Sequence, residues 1–67
     1  MTTGTVKSVH SESGYGYIAT EDGTEYYFHR EALKLPLDFD DLFGGEHVSF
    51  EVEANFKGPR AVEVTRA

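Results

Sequence analysis

Cysteine is absent from this 67-residue chain, so neither disulfides nor thiolate-held metals can support its fold. Long apolar runs are absent as well. The opening Met-Thr-Thr-Gly reads as neither a secretory signal nor a membrane span, and a soluble cytoplasmic protein that avoids membranes is expected. Cations are scarce: six Lys and Arg against twelve Asp and Glu give a formal net charge of -6. Such a surface repels a polyanion at long range. One small domain spanning residues 1–67 is expected, and a domain near this size buries only about 60% of its unfolded surface, which leaves a marginal core.

What the chain does have is rings, placed at strand spacing. In Gly14-Tyr15-Gly16-Tyr17-Ile18 an extended backbone sends Tyr15 and Tyr17 to one face and Gly14, Gly16 and Ile18 to the other. In the following segment Thr24, Tyr26 and Phe28 share one face, and Glu25, Tyr27 and His29 share the other. Facing residues of a hairpin must lie on the same side of the sheet, so their numbers here must add to an even number. A two-residue Asp22-Gly23 turn fails that test. A three-residue Glu21-Asp22-Gly23 loop passes it, with glycine in the left-handed position that closes such a loop. Tyr17 then faces Tyr27, Tyr15 faces His29, and an inward Phe28 faces an inward Gly16. The outward face becomes a platform of four rings.

Taken in order, the chain reads as five short strands with no long helix. The first covers residues 5–10, and its alternation slips before Val9, which suggests a bulge near Ser8. A single helical turn is expected over 31–34, stopped by Pro36. The long 30–45 connection carries Leu33, Leu35, Leu37, Phe39, Leu42 and Phe43, some of which should close one end of a barrel. Residues 47–54 alternate most cleanly, and a turn at 55–59 leads to the last strand. The expected inward set is Val6, Val9, Ile18, Tyr26, Phe28, Val48, Phe50, Val52, Val62 and Val64. Five antiparallel strands around one interior make an all-β fold, a small barrel whose closure removes exposed sheet edges.

Gly4-Thr5-Val6-Lys7, Gly14-Tyr15-Gly16-Tyr17-Ile18, Tyr27-Phe28-His29, the stretch 42–48 and Lys57-Gly58-Pro59 follow the order and spacing of the bacterial cold-shock domain. The chain resembles that family over nearly its whole length. The resemblance implies a five-stranded oligonucleotide-binding barrel that binds single-stranded RNA and DNA with modest sequence preference and serves as an RNA chaperone. It matches Tyr15, Tyr17, Tyr27 and His29 to the family's stacking motifs, Lys7 to a first-strand cation, Phe39 to a loop aromatic, and the turn at Lys57 to a loop flanking the ligand. The chain departs from the family at Ser8, Val9 and His10, where a tryptophan, a phenylalanine and an asparagine are usual. Ser13 stands where a lysine is common, and Arg30 where an aromatic is common.

The residues support the same chemistry without the family. Every base has a π-face, and stacking on an exposed ring is worth about 1–3 kcal/mol per base. A tyrosine hydroxyl adds a hydrogen bond, and Arg30 can stack or pair with phosphate in place of the missing ring. Lys7, Arg30, Lys57 and Arg60 are expected to frame the platform, with most acids elsewhere. Ser8, His10, Phe56 and Arg60 are assigned to its margin, with Phe56 a further candidate to replace the missing ring.

Plainer readings stand beside these. Exposed tyrosines are also good strand formers, His29 can be structural, and Phe39 can pack on the leucines of its own loop. No enzyme, cofactor or metal site is expected: His10, His29 and His47 lack ligand spacing, 38–41 lacks the rest of a calcium loop, and the serines near His10 form no nucleophile arrangement. A four-stranded RNA-recognition domain would need two helices for which the chain has no room. The remaining alternative is a protein-interaction barrel that lost most nucleic-acid affinity, with 33–43 as its partner surface. A monomer is expected.

Overall fold

The computed structural model describes residues 1–34, 37–56 and 58–67 (at Asn55 the backbone only), and its central hairpin turns at residues 21–23. Thr20 N–H donates to Thr24 O and Gly23 N–H to Thr20 O, each at 3.0 Å, and Gly23 takes a φ of 88° that a side chain would disfavour. The Asp22 carboxylate accepts from the Thr20 hydroxyl and from Thr24 N–H. These donors, the hydroxyl first, hold the Asp22 carboxyl below its ordinary pKa.

That loop joins β2 (Tyr15–Ala19) to β3 (Glu25–His29). The register is the expected one: Tyr15 faces His29, Gly16 faces Phe28, and Tyr17 faces Tyr27. A Cβ built at Gly16 would lie 2.9 Å from the Phe28 ring and 2.5 Å from the Ser8 carbonyl oxygen, so only glycine lets Phe28 reach full burial.

The first strand, β1 (Thr2–His10), begins earlier than its alternation suggested, because residues 2–5 pair with β4 (His47–Asn55) on the side away from β2. Its register against β2 shifts between Val6 and Ser8, which is the bulge expected there. Val6 therefore points inward opposite Ile18, while Ser8 and His10 join Tyr17 and Tyr15 on the outer face.

The last strand, β5 (Gly58–Arg66), pairs antiparallel with β4, and its register shifts between Ser49 and Glu51. Glu63 takes up the extra residue at a φ of 51°. The slip reverses the face of every residue before it. Ala61, not Val62, is fully buried, and Val62 is left half-buried. Val52 was also expected inside, yet it is 43% exposed although it pairs with the fully buried Ala61.

The strands close a barrel in the order β1-β2-β3-β5-β4. The seam between β3 and β5 is parallel, through Tyr27 and Arg60, so the sheet is mixed rather than wholly antiparallel. Leu33 extends the same seam as a parallel bridge to Val64, and Lys34 N–H donates to Val64 O at 2.8 Å.

The connecting segment contains two 3₁₀ turns, Arg30–Ala32 and Phe39–Asp41; the first replaces the helical turn expected at 31–34. Leu37, Phe39 and Leu42 are at most 5% exposed and close one end of the barrel, with Leu33 partly buried beside them. Phe43 takes no part in that closure and is 88% exposed. Leu35 and the stop expected at Pro36 lie outside the described residues. The core is Val6, Ile18, Phe28, Val48, Phe50, Ala61 and Val64 together with these loop side chains, and Val9 and Tyr26 pack partly buried against it.

Candidate nucleic-acid interface

The bulge in β1 and the unbroken β2–β3 register bring four rings together on the outer face. His10 stacks on Tyr15 with centroids 4.7 Å apart and planes 23° from parallel, and Tyr15 stacks on Tyr27 at 5.5 Å and 27°. Tyr17 stands edge-on to Tyr15 at 6.0 Å and to Tyr27 at 6.1 Å. A row of near-parallel rings thus crosses three strands. The fourth member is His10, assigned only to the margin by sequence, rather than His29. The His29 Nδ1 accepts the Glu31 N–H at 3.1 Å and caps the first 3₁₀ turn, and its ring stacks on none of the three tyrosines among the described residues. A neutral His29 therefore carries its proton on Nε2, as a donor.

The expected cations are less free than their placement suggested. Lys7, the residue at the bulge, has its Nζ 2.7 Å from Glu25 Oε2, with both side chains about half exposed. Arg60 sits beside Tyr27 across the parallel seam, and its Nε is 3.8 Å from Glu53 Oε1. That nitrogen is closed off from solvent and has no hydrogen-bond partner among the described residues. Most acids were expected away from the platform, yet the strand residues Glu25 and Glu53 stand against two of its cations. Strand parity already signalled Glu25, which shares the face of Tyr27 and His29.

Arg30 is exposed at the end of β3, with its N–H donating to Gly14 O at 2.9 Å and its guanidinium 5.9 Å from the Phe39 ring centre. Phe39 itself is 4% exposed and meets Phe28 edge-on at 6.2 Å, so the expected loop aromatic is a core ring with no face to offer. Ser8 is half-buried opposite Tyr17, and Phe56 is 96% exposed at the β4–β5 turn. Lys57 lies outside the described residues.

The exposed ring of the long connection is Phe43. Its position before Gly44-Gly45 was the available signal, since a turn made of two glycines carries no side chains to cover it. Glu46 organises that turn, accepting from Phe43 N–H and Gly44 N–H at 2.8 Å each. Burial pushes the Glu46 carboxyl up, but these donors and the nearby Arg66 charge outweigh it and hold its pKa below the ordinary value. Among the described residues no cluster of His, Asp and Glu could hold a metal ion, and no helix is long and apolar enough to cross a membrane.

The family model described as the 'Cold-shock' DNA-binding domain matches residues 2–67. The major cold shock protein of Streptococcus pyogenes serotype M1 is 39% identical over 66 residues, covering 98% of this chain and 97% of the relative. Cold shock-like protein CspLB of Listeria monocytogenes is also 39% identical over 66 residues, covering 98% of each chain. Cold shock protein CspC of Bacillus subtilis is 37% identical over 67 residues and covers all of both.

Proposed function

Because the chain belongs to the cold-shock domain family, a family of nucleic-acid-binding type, we propose that it binds single-stranded RNA or DNA by stacking bases on Tyr15, Tyr17 and Tyr27, with His10 and His29 beside them. The observation that carries the reading is the row His10, Tyr15, Tyr27, a strip of stacked rings on the outer face of a small barrel whose core holds Phe28, Phe39 and Phe50. A base can extend such a row or take the place of one neighbour in it, and neither contact selects strongly for sequence.

Arg30, Lys7 and Arg60 contribute phosphate contacts at the rim, and Lys57 is assigned with them although it lies outside the described residues. With Lys7 and Arg60 each beside a carboxylate and with Ser8 in place of a large ring, binding is weaker and less salt-dependent than a basic platform would give. Weak, sequence-tolerant binding suits a monomeric cytoplasmic RNA chaperone, which must hold transcripts open and still release them.

The protein-interaction alternative loses most of its expected surface, because Leu37, Phe39 and Leu42 are buried in the barrel. The test is a titration with a pyrimidine-rich single strand alongside thermal melting. Tyr15→Ala, Tyr17→Ala and Tyr27→Ala should each weaken binding by about 1–3 kcal/mol while the melting temperature holds. Tyrosine variants that melt early yet bind normally would assign these rings to the fold instead.

A further inference from the structure

Resting on the proposed single-strand binding, we propose that Phe43 is a further base-stacking residue that carries the platform past β1. A lone exposed apolar side chain is ordinary and by itself means nothing. Two observations set Phe43 apart. Its backbone is gripped, because one carboxylate takes both the Phe43 and the Gly44 N–H, with Glu46 Oε2 and Oε1 at 2.8 Å each. A ring that is 88% exposed is therefore presented from an ordered turn.

The second observation is where that turn lies. The β1–β4 pairing ends at Thr5 and His47, but the contact continues beyond it: Val6 N–H donates to Glu46 O at 2.9 Å, and Gly45 N–H donates to Val6 O at 2.7 Å. A Cβ built at Gly44 would lie 3.8 Å from the Lys7 carbonyl oxygen. Gly44 therefore lies beside the carbonyl that joins Lys7 to Ser8, and Ser8 is the platform position on β1 with no ring, directly across from Tyr17. Phe43 thus borders the gap left by Ser8, on the side away from the tyrosines.

The ligand at this subsite is an unpaired nucleobase, and Lys7, which precedes Ser8 on β1 and pairs with Glu25, is the cation assigned to the adjoining phosphate. Phe43 has no hydrogen-bonding group, so it adds affinity and length of footprint without base preference.

The chain lacks tryptophan, so Phe43→Trp installs a single indole whose fluorescence reports this position alone. Titration of that variant with a single-stranded oligothymidine should change the indole emission in parallel with binding. Phe43→Ala should weaken oligothymidine binding roughly five- to tenfold with the melting temperature unchanged, and Phe43→Leu, which keeps an apolar side chain but no π-face, should behave like the alanine variant. If Tyr27→Ala weakens binding but Phe43→Ala stays within about twofold of the parent and the indole does not respond, the Phe43 subsite is wrong and the platform stands. If the parent binds no oligothymidine even at low salt, the platform and the Phe43 subsite both fall.

Discussion

The β2–β3 and β4–β5 hairpins are built from the same kind of alternation, yet only the first keeps it. The first pairs five-residue strands without a slip, whereas the second pairs nine-residue strands through a register shift and a left-handed Glu63. The difference lies in how strongly each face specifies its register. In β2–β3 a one-residue slip would drive Tyr15 and Tyr17 inward and take the Gly16 space away from Phe28, so no slipped register is tolerable. In β5 the small apolar residues Ala61, Val62 and Val64 occupy neighbouring positions, and either face can be buried. The second hairpin is therefore free to bulge, and the bulge lies where Leu33 and Lys34 dock against Val64.

The largest test of this contrast is stability. Phe28→Ala removes a fully buried ring from the tightly specified hairpin and should cost about 3–5 kcal/mol, enough to unfold a marginal domain. Val52→Ala, inward by parity but 43% exposed, should cost less than about 1 kcal/mol. Chemical denaturation of the two variants reads both, and similar losses would mean that the second hairpin is as tightly packed as the first.

A smaller effect compares two acid–cation pairs, Lys7–Glu25 between β1 and the first hairpin and Arg60–Glu53 within the second. Glu25→Gln frees Lys7 and should tighten single-strand binding by less than about 1 kcal/mol, while steepening the fall of log affinity with log salt by about 0.7. Glu53→Gln should do less, since its contact with Arg60 is 3.8 Å against 2.7 Å. Affinities measured across a salt series check the order.

The smallest effect is at the turn preceding the second hairpin. The folded Glu46 carboxyl ionises at lower pH than the unfolded one, so the stability it contributes is complete above the ordinary value of 4.5 and is lost as pH falls through the lower folded value. Glu46→Gln should flatten the acid side of the stability profile below about pH 4.5, and melting curves at descending pH would show it. A profile unchanged by the substitution would remove Glu46 as the source of acid sensitivity.

Much of the candidate site was legible because it follows from strand parity and one turn. The positions of Tyr15, Tyr17, Tyr27 and the Gly16–Phe28 contact need only the period of two and the length of the 21–23 loop. The bulge near Ser8 was legible as a broken alternation, although its consequence, that His10 joins the row, depends on the partner strand. What stayed hidden involved residues that compete for the same interior. Phe39 and Phe43 are four residues apart in one irregular loop, and no periodicity tells which ring closes the barrel and which remains in water.

The sequence by itself determined the all-β class, the platform hairpin and the family, because these rest on local spacing and steric limits within a few residues of chain. The tertiary structure alone decided the parallel β3–β5 seam, the exchange of Ala61 for Val62, the burial of Phe39, and the pairing of Lys7 with Glu25 and Arg60 with Glu53. Each of these depends on which distant segments meet when the barrel closes, and closure is settled by the packing of the whole interior rather than by any one stretch of it.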